Sequence, residues 1–227
     1  MHLFNPDSPV FSFLSKLADL IIINILVIIC SLPVFTIGAA WTAMYYVTVK
    51  LVKNEESYVT KDFFKSFKLN FRQATCIWLI NIIVLTLMAT DAVIIIRGGI
   101  EQLPQPLLIV MIIMGLFAIA VMLYVYPLLS HFDNSIKNTI KNAFILVISN
   151  FPYTLLFLAV VAVTIGLSFT EFGVRLLPLY ILIGISGPAY ICSLAWKRIF
   201  DKLDPIPETI GENDGKQEEK EAESESE

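Results

Sequence analysis

Charged residues are missing from five long stretches of the chain: Leu20 to Val49, Gln73 to Thr90, Leu107 to Leu129, Ala143 to Thr170 and Leu176 to Trp196. Each is long enough that a helix rising about 1.5 Å per residue crosses the roughly 30 Å of hydrocarbon in a bilayer. The pattern therefore predicts an all-α protein, a polytopic transmembrane helix bundle of five to six helices.

Breakers divide these stretches. Ser8-Pro9 suits an N-cap followed by proline at the first helical position, so a first helix is expected from Pro9 to about Leu32. Pro33 and Gly38 split the longest apolar run, and a second helix then covers Ile37 to Glu56. Its apolar part is short, leaving both a full and a partial span open, and with them the side on which the N-terminus lies. Gln73 to Ile96, Pro106 to Ser130, Ala143 to Phe169 and Val174 to Phe200 complete the set. Gly98-Gly99 and Pro104 mark the turn between the third and fourth, and Pro152 is expected to bend the fifth.

Between the second and third spans the period changes. Phe63, Phe67 and Phe71 recur every four residues, while Lys61, Lys65, Lys68 and Arg72 follow helical spacing on another face. This predicts an interfacial amphipathic helix with its aromatics in the lipid interface and its lysines at anionic headgroups, or alternatively a surface that docks a cytoplasmic partner. A fainter version, with Lys137 and Lys141 among Ile136, Ile140 and Phe144, precedes the fifth span.

Charge adds orientation. The formal net charge is -4, but residues 201–227 hold eleven acids against three lysines, so residues 1–200 carry a positive excess. Two regions follow: a transmembrane domain over 1–205 and an acidic tail over 206–227, too poor in apolar groups to fold and expected to be disordered. The Lys50 to Arg72 connection holds six basic residues, whereas the opposing loops hold Arg97 and Arg175. Lysine and arginine are retained inside, so the basic face and the C-terminus are expected in the cytoplasm. The N-terminus lacks the basic region of a cleaved signal, so the first apolar stretch is expected to stay in the protein.

Candidate chemistry is sparse. Asp91 is the one carboxylate well inside an apolar helix, where an ionisable group implies either a transport role or a structural contact. Asn24 and Asn81 sit deep in their spans and need partners there. Gly184-Ile185-Ser186-Gly187-Pro188-Ala189 breaks the sixth helix, either for close packing or to open backbone carbonyls toward a cavity. Cys30, Cys76 and Cys192 lie in apolar stretches, and His2 and His131 have no companion cluster, so no disulfide, metal, cofactor or enzymatic activity is expected, and no nucleic-acid partner.

Asn5-Pro6-Asp7-Ser8-Pro9, Leu32-Pro33-Val34-Phe35-Thr36-Ile37-Gly38-Ala39-Ala40, Ala43-Met44-Tyr45-Tyr46 and Asp62-Phe63-Phe64-Lys65-Ser66-Phe67 together resemble the YesL-like family. Many relatives have Pro where Ala39 stands. These are bacterial integral membrane proteins of uncharacterised function, encoded beside sugar-binding-protein-dependent ABC importers. The resemblance implies a multi-pass protein of the bacterial plasma membrane in a carbohydrate-uptake context. It carries no catalytic residues. Two functions are expected: an accessory subunit that packs on ABC permease subunits, or a self-sufficient small-solute transporter or channel lined by Asn24, Asn81, Asp91 and the Gly184 to Pro188 break.

Overall fold

The computed structural model describes residues 9–55, 58–98, 105–171 and 175–203. Their regular structure is helical: α1 (Pro9–Ser31), a 3-10 turn (Val34–Thr36), α2 (Ile37–Lys53), α3 (Val59–Gly98), α4 (Gln105–His131), α5 (Ile136–Ser149), α6 (Phe151–Ser168), α7 (Leu177–Ile183) and α8 (Ser186–Leu203). Helices α1, α3, α4 and α6 are long and apolar enough to cross a membrane, and α7 with α8, bent by 45°, forms a fifth such span when taken together. The protein is a multi-pass membrane protein. The tail and the Gly99 to Pro104 turn lie outside the described residues.

Helix α2 is the centre of the bundle, packed on α1, α3, α4 and α8. It has only 17 residues, about 25 Å, and its Ala39, Ala40, Ala43 and Val47 are fully buried. Such small side chains let neighbouring backbones approach, the usual means of helix association where lipid offers no hydrophobic incentive. Gly38 marks the closest approach. A Cβ there would lie 2.6 Å from Ala74 O and 2.8 Å from the Trp78 Cβ on α3.

The turn at Pro33 reverses the chain, so α1 and α2 form an antiparallel hairpin. At one end the Thr36 hydroxyl lies 2.5 Å from Cys30 O and 2.6 Å from Pro33 O, taking up carbonyls freed where α1 stops. Trp78 Nε1 donates to Val34 O at 2.7 Å and ties the turn to α3. At the other end Lys16 Nζ donates to Asn54 Oδ1 at 2.7 Å. Asn54 ends α2 in the left-handed conformation (φ 56°), which asparagine tolerates better than other non-glycine residues.

Two expectations are corrected. Residues 61–72 do not form a separate helix: they are the opening turns of α3, which continues unbroken for 40 residues. Nor are the three spaced aromatics all directed outward, although their neighbour Phe64 is exposed. Phe63 is fully buried in the protein core and Phe67 and Phe71 pack against it, with ring centroids 6.3 Å and 5.6 Å apart in succession. The reason is that an apolar stripe is satisfied equally by lipid and by protein, and here α2 supplies protein.

The weaker repeat forms the independent amphipathic helix instead. Ser135 caps α5 with its hydroxyl oxygen accepting from the Asn138 N–H, and Thr139, Ala143, Leu146 and Val147 turn inward. The expected bend at Pro152 is a break at Asn150. Thr154 spans it, donating to Val147 O at 2.9 Å while meeting the Tyr124 hydroxyl at 2.9 Å.

Candidate functional site

The break between α7 and α8 is where backbone polarity is most exposed to the apolar interior, because a helix end leaves amides and carbonyls without partners. Asn24, fully buried on α1, fills it. Its Oδ1 accepts from the N–H groups of Ile185 and Ser186, each at 2.9 Å, and its Nδ2 donates to Ile181 O at 2.7 Å and lies 3.4 Å from Tyr180 O. One primary amide, with two donors and a two-lone-pair oxygen, thus serves both broken ends. Tyr180 OH in turn donates to Thr164 O at 2.6 Å and binds α7 to α6. The break is joined to α1 through Asn24, which takes up the freed N–H groups of Ile185 and Ser186 and the carbonyl of Ile181.

Asn81 lies elsewhere. Its Nδ2 donates to the Tyr126 hydroxyl at 2.8 Å, and the Tyr126 ring stands edge-on to Trp41 at 5.8 Å, so α2, α3 and α4 are joined by one polar contact set in aromatics. Asp91 lies ten residues further along α3, about 15 Å, and is exposed. The structure does not gather Asn24, Asn81 and Asp91 around a common path.

Asp91 opens instead into a cleft of about 620 Å³ between the outer halves of α3 and α4, walled by Val84, Met88, Ile95, Met111 and Gly115 among others. Among the described residues its carboxylate has no hydrogen bond or ion pair. Beyond the cleft Leu87, Val93, Ile94, Ile109 and Ile113 point outward.

The basic residues collect at the opposite end of the molecule. Lys50, Lys53, Ser130 and His131 border one small pocket, His131 stacks on Phe200 at 4.1 Å, and Lys61, Lys65, Lys68 and Arg72 are exposed along the start of α3. Lys50 Nζ donates to Asp62 Oδ2 at 3.0 Å. Partial burial disfavours its ammonium, but the Asp62 hydrogen bond and the nearby Tyr46 and Asp62 outweigh that and hold its pKa above the ordinary lysine value. Among the described residues no group of three or more His, Cys, Asp or Glu is arranged to hold a metal ion.

Sequence reading missed the buried hydroxyl pair Thr48–Ser193, 2.8 Å apart between α2 and α8, and the cluster of Trp196 with Tyr124, Phe157 and Phe200. Both join residues more than a hundred or several tens of positions apart, and only the regular apolar spacing of α8 hinted at them.

The profile of a family described as "protein of unknown function, DUF624" matches residues 20–92, which run from α1 through the Pro33 turn and α2 to Ala92 on α3. The chain is also 31% identical over 150 residues to the uncharacterized protein YesL of Bacillus subtilis (strain 168), covering 65% of this chain and 69% of that protein. No solved structure matches. With the Pro33 turn, the Gly38 approach and the basic start of α3 all inside the matched region, this chain belongs to the YesL-like family of integral membrane proteins.

Proposed function

We propose that the protein is a non-catalytic membrane subunit that packs on a partner membrane protein, and that the partner is the permease of a carbohydrate ABC importer. The observation that carries the first half is the α3–α4 cleft: an apolar groove in the membrane region with a carboxylate, Asp91, that no described residue satisfies. Lipid tails fill such a groove but leave the acid without a donor, whereas a neighbouring helix bearing an amide, hydroxyl or cation satisfies both. The second half rests on the family resemblance and its carbohydrate-uptake setting. The basic face is read as cytoplasmic, by the retention of Lys and Arg inside. In this reading the exposed Lys61, Lys65, Lys68 and Arg72 meet the partner or the headgroups there.

The test is co-purification from native membranes together with sugar uptake in a deletion strain. Permease subunits are expected to accompany the wild-type chain and to be lost from Asp91→Leu, and deletion is expected to lower uptake. Absence of permease from the wild-type preparation, with uptake unchanged on deletion, defeats the reading. The rival transporter reading is disfavoured by the amide-filled break and by the separation of Asn24, Asn81 and Asp91; solute movement into liposomes containing this chain alone restores it.

A further inference from the structure

A second groove, of about 510 Å³, lies at the basic end between α6 and α8 with Val52 of α2 at its base. Its walls are Leu156 on α6 and Ile191, Leu194 and Ala195 on α8, and three of these side chains are half-exposed. Its mouth holds Lys197, Arg198 and Tyr153. We infer that this groove binds one anionic phospholipid, an acyl chain lying along Leu156, Ile191 and Leu194 and the phosphate diester held by Lys197, Arg198 and the Tyr153 hydroxyl.

Three observations lead there. The two cations are adjacent in sequence, and among the described residues neither forms an ion pair, unlike Lys50, which pairs with Asp62. Asp201, one turn further along α8, is exposed and makes no bond to either. The apolar walls continue directly into the cationic mouth, so a ligand that fits must be oily along its length and negative at its end. A topology signal needs only the charges, whereas a basic pocket between transmembrane helices matches a phospholipid headgroup. Arginine offers a planar fork of donors to a phosphate and lysine a point charge. The stretch of α8 that carries them is anchored by Trp196, the residue before Lys197, which is fully buried against Tyr124, Phe157 and Phe200.

The experiment is native mass spectrometry of the whole detergent-purified chain with added phosphatidylglycerol or phosphatidylcholine, and with glycerophosphate as a chain-free competitor. One phosphatidylglycerol is expected to stay bound in preference to phosphatidylcholine. Lys197→Gln with Arg198→Gln is expected to weaken retention about 30-fold, from two lost headgroup charges. Leu194→Trp, which fills the groove and leaves the charges in place, is also expected to release the lipid, and Lys137→Gln with Lys141→Gln on α5 to retain it. If the double neutralisation does not fold, Leu194→Trp decides alone. Equal retention of the two lipids, retention by the filled-groove variant, or displacement by glycerophosphate overturns the inference.

Discussion

Replacing Asn24 tests how the bundle tolerates a broken helix in lipid. Asn24→Leu keeps the branched shape of the side chain, so no cavity is created, and its bulkier methyl groups add an overpacking cost in the same direction as the lost polar contacts. It orphans the N–H groups of Ile185 and Ser186 and removes the donor to Ile181 O. A buried amide left without a partner costs about 1–3 kcal/mol, which for two N–H groups amounts to about 2–6 kcal/mol. Interhelical hydrogen bonds in membrane proteins average only about 0.6 kcal/mol, because side chains that lose a partner usually find another. That average does not apply here: the orphans are backbone groups fixed at a break and sealed from water, and Asn24 is fully buried. The larger figure governs. Detergent-purified Asn24→Leu is expected to unfold about 4–24 °C below wild type in a thermal scan followed by tryptophan fluorescence, taking about 2–4 °C per kcal/mol for a chain of this size. Unfolding within 2 °C of wild type, on the same scale of about 2–4 °C per kcal/mol, would show that the break is satisfied some other way and refute the reasoning.

Gly38→Ala is expected to destabilise by about 1–3 kcal/mol in the same scan, since its Cβ meets a fixed carbonyl on α3. Gly166→Ala meets nothing within 4 Å and is expected to be neutral or to stabilise by less than about 1 kcal/mol. A double-mutant cycle through Lys50→Ala and Asp62→Ala should return a coupling below about 1 kcal/mol, because both side chains retain access to water. In a cysteine-free background, Lys65→Cys should react with membrane-impermeant maleimide only in inside-out vesicles and Arg97→Cys only in intact cells; the reverse pattern would invert the proposed orientation.

Much of the helical layout was legible because lipid demands unbroken apolar runs, and Pro33, Pro152 and Gly184 mark the places where those runs fail. The partners were not legible. That Asn24 needs hydrogen bonds follows from its place in α1, but that they come from residues some 160 positions away depends on packing, which no local pattern encodes. The same limit misled the reading of Phe63, Phe67 and Phe71, whose spacing reports an apolar face without saying what covers it. The onset of α5 at Ile136 was written in Ser135, which caps it. Lys137 and Lys141 drew attention away by interrupting the uncharged window. Asp91 stood out by its chemistry, yet its exposure in an open cleft is a property of how far α3 and α4 splay.

The 40-residue length of α3 has a mechanical consequence. A rod of about 60 Å is twice as long as the oil layer is thick; its opening turns are anchored to the central helix, and its far half meets α4 through Asn81 and the walls of the Asp91 cleft. Rotating it by about 5° at the anchored end swings the distal tip by about 5 Å. Any tilt at the anchored end is therefore magnified along the length of the rod, as far as its contacts with α4 yield.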